Sequence, residues 1–175
     1  MSKDYAKHAD LEALEVGDVS LENFDTIAET VRKSGLTAAH AGAVLYRAFH
    51  ALNSNSTDAQ LALRADVSTG YVSRWKLFAD ARDKGISQTS TGKRAVEAWG
   101  RLVSGAFNSS EVRKSIRDKD AKTADVVKAI TAAWKTMQSP NTGNGTGSGQ
   151  GDDDKDERGT NGPDTPETFA SVLTT

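Results

Sequence analysis

Residues 58–77 carry the densest set of side chains able to meet another molecule. They read Asp-Ala-Gln-Leu-Ala-Leu-Arg-Ala-Asp-Val-Ser-Thr-Gly-Tyr-Val-Ser-Arg-Trp-Lys-Leu. On a helix turning about 100° per residue from Thr69, the side chains of Tyr71, Val72, Trp75, Phe78 and Ala79 fall between about 180° and 300°. That face is expected to be buried. Lys76, Thr69, Ser73, Leu77, Gly70 and Arg74 fall between about 340° and 140°, and are expected outward. Hydroxyls, a glycine and an arginine on one exposed face suit hydrogen bonding to base edges, with a lysine beside them for phosphate.

The residues around this face support it. Two helices that cross closely need a small residue at the crossing, and Ala62 supplies one. Leu61, Ala65 and Val67 can form a small core beneath. Ser68 can cap the second helix, so that its amide groups and dipole face outward and favour phosphate. An ordinary helical hairpin is the plain alternative.

The spacing of Leu61, Ala62, Ala65, Val67, Ser68, Val72, Ser73 and Arg74 resembles the helix-turn-helix of phage repressors and of ParB-type partition proteins. The resemblance covers only this segment. It implies binding to double-stranded DNA, with Thr69, Gly70, Ser73 and Arg74 at base edges. Gln60, Arg64, Ser68, Tyr71 and Lys76 would then meet phosphates. One position departs from the pattern: Asp66 stands where the family usually has glycine in the turn. Asp tolerates a left-handed backbone less well than Gly, and better than most residues. It also puts a negative charge near the expected DNA face. Gly70 costs helix propensity, and close approach of the backbone to DNA is one reason to keep it.

Catalytic chemistry is poorly represented. The sequence has no cysteine, which excludes disulfides, thiol catalysis and thiolate-bound zinc. His8, His40 and His50 are its histidines. His40 and His50 would stand ten residues, about 15 Å, apart along one helix, so they cannot share a metal, and partly exposed helix positions are expected for both. No phosphate loop, nucleophile elbow, zinc-protease or dinucleotide fingerprint occurs. No enzyme activity, metal or cofactor is expected.

The elements that must position the 58–77 segment read as helices throughout. Residues 1–138 hold no proline and no strand-type alternation. Asn23 to Lys33 carries Phe24, Ile27, Ala28 and Val31 at helical spacing, with Gly35 as a stop. Thr37 is expected to cap a second helix burying Ala41, Val44, Leu45, Ala48, Phe49 and Leu52. Ser56 or Thr57 caps a third, to about Ala65. The fourth runs from Ser68 to about Lys84, where Gly85 can supply the left-handed residue beyond the end. Thr91 to Ala106 places Val96, Trp99 and Val103 on one stripe. Ser109 or Ser110 caps a basic helix with Val112 and Ile116 inward. Lys122 to Met137 buries Val126, Ile130, Ala133, Trp134 and Met137. Trp99 and Trp134 suit a core, with a dimer interface as the alternative.

The fold expected is therefore all-α: a compact bundle of seven helices around a central helix-turn-helix. Residues 1–20 form an acidic, flexible N-terminal segment, 21–138 the helical domain and 139–175 a disordered tail. All three prolines and seven of the fifteen glycines lie beyond residue 138. The tail's Gly-rich run 141–149 reads as a linker, and Asp152 to Arg158 is an acidic run that cannot bury itself.

The net charge of −2 conceals three zones. Residues 1–30 hold two Lys and eight acids, residues 31–138 hold 18 basic residues and nine acids, and residues 139–175 hold two basic residues and seven acids. A basic middle between acidic ends fits a domain that meets a polyanion. Arg113, Lys114, Arg117, Lys119 and Lys122, with Lys93 and Arg94, either touch flanking phosphates or line a solvated helix face. The acidic tail either aids solubility or competes with DNA for the basic face.

The start Met1-Ser2-Lys3-Asp4 lacks the apolar core of a signal peptide, and no apolar run reaches the roughly 18 residues of a membrane span. The expectation is a cytoplasmic protein of a bacterial host cell. It would bind DNA sequence-specifically as a homodimer or higher homo-oligomer and regulate transcription for a phage, plasmid or bacterium. A partition or small-terminase-like packaging protein using the same module is the alternative. A helical structural or interaction protein without DNA contact is the alternative from another class.

Overall fold

The computed structural model describes residues 11–139, apart from the side chains of residues 36 and 37. Residues 1–10 of the acidic N-terminal segment and 140–175 of the acidic tail lie outside the described residues. So does the side chain of Thr37.

Seven α-helices make up the described chain: α1 (Phe24–Ser34), α2 (Ala39–Leu52), α3 (Asp58–Ala65), α4 (Thr69–Asp83), α5 (Lys93–Val103), α6 (Ser110–Arg117) and α7 (Thr123–Gln138). Short 3₁₀ turns lie at Val16–Asp18, Gly35–Ala38 and Ala106–Asn108. No strand occurs among the described residues. The all-α architecture is the one expected.

Helix ends follow local chemistry. Thr57 caps α3 in a reciprocal box: the Gln60 N–H donates to Thr57 Oγ1 at 3.3 Å and the Thr57 N–H to Gln60 Oε1 at 2.8 Å. Ser68 caps α4, accepting from the Tyr71 N–H at 3.3 Å, and Ser109 caps α6, accepting from the Val112 N–H at 3.5 Å. Gly85, at φ +77°, closes α4. The Ile86 N–H reaches back to Ala81 O and the Gly85 N–H to Arg82 O, which satisfies the last carbonyls. Thr37 is not the cap of α2. The 3₁₀ turn carries the chain through it, and Ala38 stands at the cap without a side-chain bond.

α2 is the hub. From Ala39 to Phe49 every residue is buried except half-buried Arg47. Ala41, Ala43, Ala48 and Gly42 keep it thin, so neighbours can pack on all sides of it. α4 packs on it at Gly42, where the Trp75 indole fills the space a Cβ would take. Arg47 reinforces the contact by pairing with Asp80 at 2.8 Å and with Asp83.

Four expectations are corrected by tertiary packing. The folded unit begins before residue 21: Leu11, Leu14 and Val19 are buried in the common core, and His40 Nε2 donates to Leu14 O at 3.0 Å. Leu77 is 3% exposed rather than outward, because α2 and α6 both pack on α4 and enclose its later turns. The buried stripe of α5 is Ala95, Ala98, Trp99 and Leu102, not Val96-Trp99-Val103. The small alanines admit close packing on α7, and Val96 is left 37% exposed. α7 buries Val126 and Ile130, but its last turn leaves the core: Trp134 is half-buried and Met137 is 52% exposed.

Candidate nucleic-acid interface

α3 and α4 are joined by Asp66, Val67 and Ser68 alone. Asp66 is the only residue other than glycine with positive φ among those described, at φ 53° and ψ 49°. One left-handed residue reverses the chain there, and the Val67 N–H then closes on Ala62 O at 3.0 Å. Asp66 is also paired with Arg32 of α1 at 3.1 Å. The carboxylate therefore has a cation beside it.

The first turns of α4 are open. Ser68, Thr69, Gly70 and Ser73 are all exposed. A Cβ at Gly70 would meet only Ser68 Oγ, at an ordinary contact distance of 3.7 Å, so nothing inside the protein demands glycine. Tyr71 is half-buried and meets Trp75 edge-on, with ring centroids 5.9 Å apart. Arg74 is half-buried and lies between two rings, 5.2 Å from the Tyr71 centroid and 4.8 Å from that of Phe107. The structure therefore brings Thr69, Gly70, Ser73 and Arg74 onto one end of one helix.

The residues assigned to phosphate are distributed differently. Ser68 lies at the tip of α4. Gln60 is exposed, but its carbonyl is used in the Thr57 capping box. Arg64 is committed to α1: Nε donates to Asp25 at 2.8 Å, an Nη to Leu21 O at 3.1 Å, and the guanidinium covers the Phe24 ring at 4.6 Å. Lys76 faces Asp58 at 3.7 Å and Tyr46. Tyr46 and Asp58 push the Lys76 pKa up and keep the ammonium charged. Arg113, Lys114, Arg117, Lys119, Lys122, Lys93 and Arg94 are exposed.

Asp58 gathers a cluster that sequence reasoning missed. It accepts from the Tyr46 hydroxyl at 3.1 Å and lies 3.2 Å from His50 Nε2. Burial, then the Asp58 carboxylate, pushes the Tyr46 pKa up. His50 Nδ1 meets Ser56 Oγ at 3.0 Å, which completes a Ser-His-Asp string. Ser56 Oγ also donates to Asn53 O at 2.6 Å, so a backbone carbonyl and the imidazole both lie within reach of its hydroxyl. The string fastens α2 to the start of α3.

His40 is 5% exposed, not a partly exposed helix residue. Its Nε2 donates to Leu14 O, and its buried Nδ1 has no partner among the described residues. Burial, then Arg82, holds its pKa below the ordinary imidazole value, against the Leu14 carbonyl, Glu12 and Glu15. Among the described residues no three His, Asp or Glu side chains converge as a metal site, and no helix is long and apolar enough to cross a membrane.

No family model, curated protein or solved structure matches this chain. Its candidate site rests on its own geometry.

Proposed function

We propose that this chain binds double-stranded DNA in a sequence-dependent way through α4, as a transcriptional regulator of a phage, plasmid or bacterium. The observation that carries the reading is the left-handed Asp66 between α3 and α4, which leaves Thr69, Gly70 and Ser73 exposed at the start of a helix anchored by buried Trp75. A helix so anchored can enter a major groove with its first turns, where hydroxyls and an arginine read base edges. Exposed Lys and Arg on α5, α6 and the loop before α7 would supply phosphate contacts that set position without reading sequence. Assembly as a homodimer or higher oligomer belongs to the same proposal, since paired half-sites multiply selectivity.

The commitment of Arg64 to Asp25 and of Lys76 to Asp58 favours a second reading, a helical interaction module without DNA contact. Selection of bound duplexes from fragmented genomic DNA and from a random library separates the two. Recovery of one enriched sequence, with affinity that falls as salt rises, supports the first reading. Failure to retain any duplex, even at low salt, supports the second. The genomic position of the enriched sequence, upstream of a gene or at a partition or packaging locus, separates regulation from those roles.

A further inference from the structure

We propose that Phe107 is a specificity-determining positioning residue, which holds Arg74 as a fixed reader of one base pair. The inference rests on the DNA-binding reading above. Phe107 lies in the 3₁₀ turn before α6, far from α4 in sequence, and its ring centroid is 4.8 Å from the Arg74 guanidinium carbon. Tyr71 flanks the same guanidinium at 5.2 Å. Phe107 is itself fixed from behind by an edge contact with buried Phe78, at 5.9 Å.

Arg74 differs from its neighbours in what holds it. Arg47 is tied to Asp80 and Asp83, Arg64 to Asp25, and Arg101 to Thr131 and Glu97. Arg74 has aromatic rings and, among the described residues, no hydrogen bond or ion pair. Rings attract the faces of a guanidinium and leave its N–H edges unspent. Those edges are what a bidentate contact to guanine O6 and N7 needs. A long side chain held in place before binding also loses less freedom when it binds. Thus the turn before α6, outside the two-helix segment, takes part in selectivity without touching DNA.

The test measures base preference with the full-length chain, as wild type, Arg74→Ala, Phe107→Leu, Phe107→Tyr and the Arg74→Ala/Phe107→Leu double variant. Each is titrated with the enriched duplex and with duplexes changed at single base pairs. Leu keeps apolar volume and removes the ring; Tyr keeps the ring. Phe107→Leu is expected to weaken the preferred duplex about three- to tenfold, with the loss of preference confined to the base pair that Arg74→Ala relaxes. Phe107→Tyr should behave as wild type, and the double variant should be no weaker than Arg74→Ala alone. A second readout needs neither DNA nor a substitution: ring currents should move the Arg74 Cδ protons upfield in the NMR spectrum of the wild type. Unshifted protons, unchanged preference in Phe107→Leu, or additive losses in the double variant would each overturn the proposal. Wild type that binds no duplex overturns the DNA-binding reading itself. Selective wild type with an equally selective Phe107→Leu overturns only the role of Phe107.

Discussion

Gly42 of α2 and Trp75 of α4 share one space: a Cβ on Gly42 would overlap Cδ1 and Nε1 of the indole and stand 3.0 Å from Cε2. The helix that carries the candidate DNA face is seated on the hub by this contact. Gly42→Ala should destabilise the chain by about 1–3 kcal/mol, although alanine is the better helix former. Trp75→Ala should cost about 3–5 kcal/mol, as large-to-small core changes do. Combining Gly42→Ala with Trp75→Ala should cost less than the sum of the two single changes. Urea unfolding of the four chains reads this coupling; strict additivity would show that the two sites do not meet.

Lys84 stabilises the junction between α4 and the α6–α7 loop without a carboxylate. Its ammonium donates to Asp118 O at 2.7 Å, Lys119 O at 3.0 Å and Ala121 O at 2.8 Å, while Thr123 Oγ1 donates to Lys84 O at 2.8 Å. Lys84→Met keeps the stem and removes the donors. A loss of about 1–2 kcal/mol is expected, since charged donors to carbonyls are worth more than neutral ones. Thermal melts at low and high salt check it, and the loss should persist at high salt because its partners carry no net charge.

His40 should make stability depend on pH. Its folded pKa lies below the ordinary value of 6.5. As pH falls through that value, the unfolded chain takes up a proton that the folded chain refuses, so protons favour unfolding. The stability is present above about pH 6.5 and declines below it. His40→Gln can still donate to Leu14 O but cannot titrate. Urea midpoints between pH 7.5 and pH 5 should therefore fall less in His40→Gln than in the wild type. Parallel curves would assign the decline to other groups.

Gly70 offers an opposite pair of effects. Alanine there meets no internal obstacle and should stabilise α4 by about 0.5–1 kcal/mol. On the proposed DNA face the added methyl stands between backbone and groove, so affinity for the enriched duplex should fall. A higher melting temperature with weaker binding separates interface from scaffold. A higher melting temperature with unchanged binding would remove Gly70 from the interface.

What could be read in the sequence was local. Thr57, Ser68, Ser109 and Gly85 end helices through bonds spanning a few residues, and each stands where its type suggests. The outward set Thr69, Gly70 and Ser73 followed from helix phase alone. Leu77 did not, because a wheel assigns one buried face and α4 is packed on two sides. On α5 the larger Val96 and Val103 drew the stripe away from the alanines that fit against α7. The pairs Arg32–Asp66, Arg64–Asp25 and Arg74–Phe107 join different elements, and no spacing along the chain announces them.

The enclosure of α2 sets where the molecule can open. Its backbone from Ala39 to Phe49 is wrapped by α4 and by the chain around Leu11 and Leu14. Its amide protons can reach solvent deuterons only when those neighbours part, which brings their exchange close to the rate set by global unfolding. The first turn of α4, exposed at Ser68, Thr69 and Gly70, belongs to the other extreme. The surface offered for recognition can fray and re-form while the helix beneath it stays shut.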